Sequence, residues 1–377
     1  MEEIKVLTKE AVKMTRPLWE QAFLEQKDKF INYYYNEKAQ GNMAYVIGEG
    51  EEIYSMLHLS PYKLLVQGSK IVESNLITGV ATRPDHRECG YMDRILKRAL
   101  QDMARYEMPF VLINNSDMTF CEKYGFHYVY DRVEWRTNPD LVDPGMLEYV
   151  SQMNLHTGFW PHQYSSLRLA ACHNAQMEDL AAFVNNKLAM SSDVFVRRDK
   201  EYFEDLKKQM LALDGGLFKF EDHDRLIGYF ACTVEDVPCI REAVVTPELL
   251  QLDMFERETE RIPATMARIL YLPKMLEMIH LKPQYEDNSH IILKIEDDII
   301  ADNNGTFDIC ITQEGSYLTP TDREYEATVT ISDLTAFLFG YAEADSCFHI
   351  VDKWRNSFME QLNHVAVLYG IQMSELV

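Results

Sequence analysis

The stretch Gly79-Val80-Ala81-Thr82-Arg83-Pro84-Asp85-His86-Arg87-Glu88-Cys89-Gly90-Tyr91-Met92 reads as the end of an apolar strand, a short polar loop and the start of a helix. The helix runs from Gly90 to Tyr106. Met92, Ile95, Leu96, Ala99, Leu100 and Met103 recur at helical spacing, and Arg94, Lys97, Arg98, Gln101 and Asp102 take the other side. A strand, a loop and a helix start in this order make an anion cradle. The first N–H groups of a helix lack carbonyl partners and carry partial positive charge. Gly90 lets the backbone approach a phosphate closely, and Arg87 adds a charged contact. One glycine does not by itself require a ligand, because a loop leading into a core-packing helix has the same form.

On the N-terminal side the pattern predicts a helix from near Lys9, capped by Thr8, broken at Pro17 and continued to about Gln26. A second short helix holds Phe30, Ile31 and the run Tyr33-Tyr34-Tyr35, which with Trp19 either lines an acceptor pocket or packs into cores and interfaces. Strands follow at Met43–Gly48, Ile53–Leu59, Leu64–Gln67 and Lys70–Thr82, with turns at Gly48-Glu49-Gly50 and Gln67-Gly68-Ser69. Beyond the long helix come a strand at Phe110–Ile113, a helical turn near Thr119–Lys123 and strands from Phe126 to Arg136.

Asp140 to Gly145 reads as a boundary loop. A second α/β texture starts near Leu167, with helices after Asn174 and Asp199 and strands Gly216–Glu221, Leu226–Val234 and Ile240–Thr246. No second phosphate loop and no helix–strand pair follow before Pro263, so this unit reads as truncated. The last stretch opens with a strand at Thr265–Leu270 and a helix from Pro273. Further strands are Ile291–Ile295, Thr306–Thr312 and the cleanly alternating Glu326–Ile331, and Ser332 is placed to cap a helix from Asp333 to Ala342. The expected domains are 1–139, 140–262 and 263–377, the first two α/β and the last α+β.

Composition bounds the rest. At about 100–200 residues per domain, 377 residues make two or three. Hydrophobic residues at 47% allow real cores, and no apolar run approaches the length of a membrane span. The acidic opening Met1-Glu2-Glu3 is unlike a secretory leader. A net charge of −23 disfavours nucleic acid and anionic membrane as partners, and attracts a polycationic small substrate. The seven cysteines form no Cys-x-x-Cys pair and the eleven histidines no His-Glu-x-x-His spacing. A reducing cytoplasm and no metal site are therefore expected.

The run from Val80 to Met92 before an amphipathic helix resembles the acetyl-CoA site of GNAT N-acetyltransferases. Phe120-Cys121-Glu122-Lys123-Tyr124-Gly125-Phe126 resembles their later Phe-Tyr-Glu-Lys-x-Gly-Phe motif. The His86-Arg87 lead and the helix start Gly90-Tyr91-Met92 point to the Eis (enhanced intracellular survival) branch, whose members join two GNAT-type domains to a sterol-carrier-protein-like domain. Met266-Ala267-Arg268-Ile269-Leu270, the run from Asp298 through Ile300, Asn303 and Gly305 to Phe307, and Ile331-Ser332-Asp333-Leu334-Thr335 extend the resemblance over most of the chain.

What the resemblance implies is specific. The fold is an N-terminal GNAT domain, a second truncated GNAT-like domain and a sterol-carrier-like α+β domain. Val80, Ala81 and Thr82 pair with pantetheine, Arg87, Glu88, Cys89, Gly90, Tyr91, Met92 and Asp93 hold the pyrophosphate, and Ser116 is a further coenzyme contact. Acetyl-CoA is the co-substrate, and the acceptor is an amine such as an aminoglycoside or a lysine side chain. The assembly is a homo-oligomer, a hexamer in the family, in a bacterial cytoplasm. The family's base is the carboxylate of the last residue, here Val377. Its acid is the tyrosine of the Phe-Tyr-Glu-Lys motif, where this chain has Cys121. Cys121 is thus either a poorly reaching acid or a small buried hydrophobe. The departure leaves a second reading open: a non-catalytic protein that binds CoA or an apolar ligand on the same scaffold.

Overall fold

The computed structural model describes residues 3–114, 118–138, 140–153, 166–233, 239–252 and 255–373. The chain opens with strand β1 (Glu3–Thr8), a 3-10 turn over Lys9–Thr15 and helix α1 (Arg16–Ala22). The helix expected from Lys9 therefore starts later, and a strand precedes it. β1 is an edge strand whose side chains are mostly exposed, so it shows little hydrophobic alternation. Its pairing with the next strand, from Glu3↔Gly48 to Thr8↔Met43, defines it instead. Helix α2 (Asp28–Asn36), β2 (Met43–Glu49), β3 (Glu52–Val66) and β4 (Lys70–Thr82) follow. Then come α3 (Tyr91–Arg105), β5 (Phe110–Asn114), α4 (Met118–Glu122) and β6 (His127–Thr137). The two strands read on either side of Pro61 are one strand, β3. Pro61 is tolerated because β2 pairs with β3 only as far as Leu59, so no partner on that edge needs its missing N–H.

The middle region consists of α5 (Pro144–Met153), β7 (Leu167–Ala171), α6 (Met177–Leu188), β8 (Val194–Val196), α7 (Lys200–Ala212), β9 (Gly215–Asp222), β10 (Arg225–Thr233), β11 (Cys239–Val245) and α8 (Pro247–Leu250). Its sheet has the order β11-β10-β9-β7. Met177, Leu180, Val184, Phe203 and Met210 of α6 and α7 pack with Tyr229 and Ala231. Leu147 and Val150 of α5 cluster with Phe218, Phe220 and Phe230.

Strand β12 (Phe255–Ile269) then leaves the middle region and enters the first sheet between β5 and β6. It pairs Thr265↔Asn114 to Ile269↔Phe110 on one side, and Phe255↔Thr137 to Ala267↔His127 on the other. The main path of that sheet is β1-β2-β3-β4-β5-β12-β6. The strand expected at Thr265–Leu270 exists, but it belongs to the first sheet, and the expected boundary at Pro263 falls inside it. Pairing across about 120 residues leaves no local signature, whereas the apolar strand itself does.

The remainder is α9 (Leu272–Leu276), β13 (His280–Leu281), β14 (Ser289–Glu296), β15 (Gly305–Ile311), β16 (Tyr317–Pro320), β17 (Ala327–Thr330), α10 (Ile331–Leu338), α11 (Ala344–Cys347), β18 (His349–Ile350), α12 (Arg355–Asn363), β19 (Val365–Ala366) and β20 (Ile371–Gln372). Five strands form a sheet of order β16-β15-β14-β17-β18. Thr330, not Ser332, caps α10. The Asp333 N–H donates to Thr330 Oγ1 at 3.1 Å, while Ser332 Oγ donates across to the Phe126 carbonyl at 2.9 Å.

Three bodies cover the first sheet. On one face α3 lays Ile95, Leu96, Ala99, Leu100 and Met103 over Leu57, Leu59, Val111 and Ile113. On the other, α1 and α2 cover Ala44, Val46, Met56 and Ala81. The C-terminal region covers the remainder, with Leu276, Ile279, Leu334 and Phe339 clustered with Leu64, Leu76, Phe110 and Leu112. Each such side chain contributes about 1.5–3 kcal/mol on burial, so the C-terminal region is part of this core rather than an appendage.

Candidate functional site

β4 and β5 pair in parallel only at Leu76↔Leu112 and Ile77↔Ile113. Beyond Ile77 they part, and the β5-facing edge of residues 78–82 has no strand partner among the described residues. On its other side β4 stays with β3, through a bulge. His58 faces Thr78 and Met56 faces Ala81, which leaves Gly79 and Val80 together opposite Leu57. Gly79 sits at φ +56°, and a Cβ there would lie 2.3 Å from Cζ3 of Trp19. Only glycine meets both conditions. Ser55 Oγ holds the far side of the bulge, at 3.2 Å from the Ala81 carbonyl and 2.8 Å from Thr82 Oγ1.

The loop after β4 is braced from below. Arg83 bonds Asp85 at 2.9 Å, and His86 stacks on Tyr54 with ring centroids 3.9 Å apart. Two left-handed residues, Glu88 at φ +63° and Gly90 at φ +76°, then turn the chain into α3. Arg87, Glu88, Cys89 and Gly90 are exposed, the N-cap residue Gly90 has no side chain to bond the first N–H groups of α3, and no described atom lies within 4 Å of where its Cβ would point. Tyr91 turns into the core at 8% exposure, so it serves this lip through its backbone. Asp93 pairs with Lys97 at 3.0 Å. The result is an exposed, uncapped N-terminus on a 15-residue helix, beside a splayed strand pair. Such a place offers backbone N–H groups to an extended chain along β4 and to an anion at the helix start.

The structure thus brings together Val80, Ala81, Thr82 and Arg87 through Asp93. Ser116 and Val377 lie outside the described residues. Cys121 is 1% exposed and clusters with Tyr124, Phe126, Ile95 and Leu100 under α3. Tyr124 is equally buried. Burial, followed by the Asp93 carboxylate, pushes its phenol up to about 12. Trp19, Tyr34 and Tyr35 are core residues, and Tyr33 bonds Asp205 of α7 at 2.9 Å, so the tyrosine run serves packing and a contact between regions. After β11, α8 (four residues) is the only described helix before β12, and the described residues form no second cradle there. Two features escaped the sequence reading: the wedge of Trp19 under Gly79, and a buried histidine, His58, beside it. A glycine immediately before Val-Ala-Thr was the available signal for the first.

Residues 3–129 match the family model of the GNAT acetyltransferase domain, and residues 272–350 match that of the sterol carrier protein domain. The chain carries both domains. It is an enzyme of the N-acetyltransferase type. No curated protein matches the chain by sequence. Among solved structures the fold is similar to that of a conserved Enterococcus faecalis V583 protein, a probable N-acyltransferase. The TM-score is 0.71 at 16% identity, over 98% of this chain and 99% of that one. A GCN5-related N-acetyltransferase of Anabaena variabilis gives 0.70 at 14%, covering 98% and 99%. Eis1 of Mycobacterium abscessus gives 0.64 at 12%, covering 97% and 93%. These likenesses extend over nearly the whole chain and are likenesses of fold, with an α/β GNAT domain at 3–129 and an α+β sterol carrier domain at 272–350.

Proposed function

We propose that the chain transfers the acetyl group of acetyl-CoA directly to an amine, as an Eis-like acetyltransferase. The observation that carries this reading is the parting of β4 from β5 directly before an open, uncapped α3. Pantetheine runs along Val80, Ala81 and Thr82, and the pyrophosphate rests on Arg87 through Asp93, with Ser116 as a further contact. The neutral amine attacks the thioester carbonyl. A C–N bond forms, the C–S bond breaks, and CoA leaves as a thiolate that takes up a proton. A backbone N–H of the bulged strand aimed at the developing oxyanion contributes about 3–4 kcal/mol.

The base is assigned to the Val377 carboxylate. Its support is the heading of the chain: β20 runs parallel to β8, and β8 runs antiparallel to β3, from Val66 toward Leu64. The chain therefore leaves Gln372 in the direction of the splay. A terminal carboxylate of ordinary pKa, about 3.5, is a poor base at neutral pH, and burial or an acidic cleft raises it. A water relay performs the same task. The burial of Cys121 supports a packing role for it, with the thiolate protonated from solvent. The acceptor is a cationic amine, an aminoglycoside or a lysine side chain, drawn by the charge of −23. The working form is a cytoplasmic, bacterial-type homo-oligomer, a hexamer by resemblance. No described helix is long and apolar enough to cross a membrane, and no metal-binding group of three or more His, Cys, Asp or Glu occurs among the described residues.

The test joins calorimetry to turnover. Wild type is expected to bind acetyl-CoA and to release thiol on at least one amine of a cationic panel. Absence of coenzyme binding would overturn the reading.

A further inference from the structure

His58 lies on β3 opposite Thr78, the residue before the bulge on β4; it is fully buried, and the proposed reaction gives it no role. Its hydrogen bonds take one consistent set of directions. The Thr15 hydroxyl donates to the Val12 carbonyl at 2.7 Å, so its hydrogen is committed. The 2.9 Å contact between Thr15 Oγ1 and His58 Nε2 is then an Nε2–H donation to Thr15. Burial drives the imidazole pKa down to about 3, so the ring is neutral and Nδ1 is an acceptor. The Tyr34 hydroxyl, 2.8 Å from Nδ1, donates to it and itself accepts from Asn42 Nδ2 at 3.0 Å. The Tyr35 hydroxyl donates to Thr15 at 2.9 Å. Both ring nitrogens are satisfied in this tautomer.

This hub ties β3 to the start of α1 through Thr15 and to α2 through Tyr34. Trp19 stacks on Tyr34 with centroids 4.3 Å apart and lies 5.4 Å from the His58 ring. Trp19 is also the side chain pressed against Gly79. A displacement of His58 therefore reaches the bulge through one intervening ring.

We propose that His58 is a positioning residue of the transfer reaction, holding α1 and α2 against β4 so that the backbone of Gly79–Ala81 keeps its bulged geometry at the thioester. The inference rests on the acetyl-transfer reading of the same strand. His58 does not touch the coenzyme, and it does not act as the base, because its Nδ1 is already engaged by Tyr34.

Two variants test it. His58→Gln keeps a donor toward Thr15 and moves its acceptor off the Nδ1 position that Tyr34 meets. Tyr34→Phe removes only the hydroxyl that donates to Nδ1. Both are expected to melt cooperatively and to bind acetyl-CoA within about twofold of wild type in calorimetry. Turnover is expected to fall about ten- to hundredfold, since displacements near 1 Å cost rate at this scale. The pH profile of kcat is expected to keep its shape. If His58→Gln fails to fold, Tyr34→Phe decides alone. Full turnover in a folded variant overturns the proposal. Loss of the acidic limb in His58→Gln also overturns it, by making His58 the base, as does an equal loss of turnover and coenzyme affinity. Failure of wild type to bind acetyl-CoA would count against the acetyl-transfer reading itself, so the two failures are distinguishable.

Discussion

The first domain and the middle region start alike and end differently. Each lays an antiparallel sheet beside two early helices and arrives at a strand, β4 in one and β11 in the other. After β4 come a loop with two left-handed residues, the 15-residue α3 and β5. After β11 comes α8, four residues long, and the chain then crosses into the other sheet as β12. The middle region keeps its core because α6, α7 and α5 already cover both faces of its sheet. A long helix after the last strand is thus not needed to cover that sheet. Where one follows, in the first domain, it opens at an exposed Gly90 in the left-handed region, with no described atom within 4 Å of where its Cβ would point.

The largest effect expected from this comparison concerns β12. Residues 1–139 made alone lack the strand between β5 and β6 and expose Leu64, Leu76, Phe110 and Leu112. They should show no cooperative thermal transition by circular dichroism. A well-folded 1–139 fragment would break the claim that the first domain is completed from downstream.

Next in size is the cradle. Gly90→Glu puts a carboxylate over the lip and adds about 1–2 kcal/mol of left-handed strain, yet meets no neighbour within 4 Å. Acetyl-CoA binding should be lost in calorimetry while the protein still melts cooperatively. Glu248→Lys, at the corresponding start of α8, should leave binding unchanged, since no cradle exists there. Equal effects from both would erase the distinction between the two units.

A smaller loss is expected at the tail. Appending several residues after Val377 moves its carboxylate by several ångströms. Turnover should fall about 10²-fold with coenzyme affinity intact. A tailed protein with full rate removes the terminal carboxylate from the mechanism.

The smallest effect belongs to Cys121. Cys121→Ala should lower the melting temperature by a few degrees, through about 1 kcal/mol of lost packing, and leave kcat within about twofold. Cys121→Tyr, which restores the family residue, overpacks the cluster under α3 and should cost about 1–3 kcal/mol without raising the rate. A rate increase would show that the loop opens enough for a phenol to reach the sulfur.

Much of this was legible in the residues. The period of Met92 to Met103 marked α3, and the Val80–Thr82 strand, the Arg87–Gly90 loop and the motif around Phe120 stood out as linear signals, because each is a run of consecutive residues within one local segment. The truncation after Thr246 was legible too, as a missing segment. The pairing of β12 was not, since strand neighbours are chosen by three-dimensional closure. Nor was the hub: Thr15, Tyr34 and His58 come from three separate elements, and a histidine flanked by Leu57 and Leu59 reads simply as part of an apolar strand. The edge strand β1 was missed because its exposed faces leave no alternation to read.

The late arrival of β12 also has a cost in time. During synthesis at about 5–20 residues per second, the 117 residues between Thr137 and Phe255 take on the order of ten seconds to appear. Throughout that interval β5 and β6 have been made but their shared neighbour has not, so each offers a raw hydrogen-bonding edge to any passing chain. The nascent chain therefore spends about a third of its translation as an unclosed sheet, and its yield in the cell depends on how well that interval is shielded.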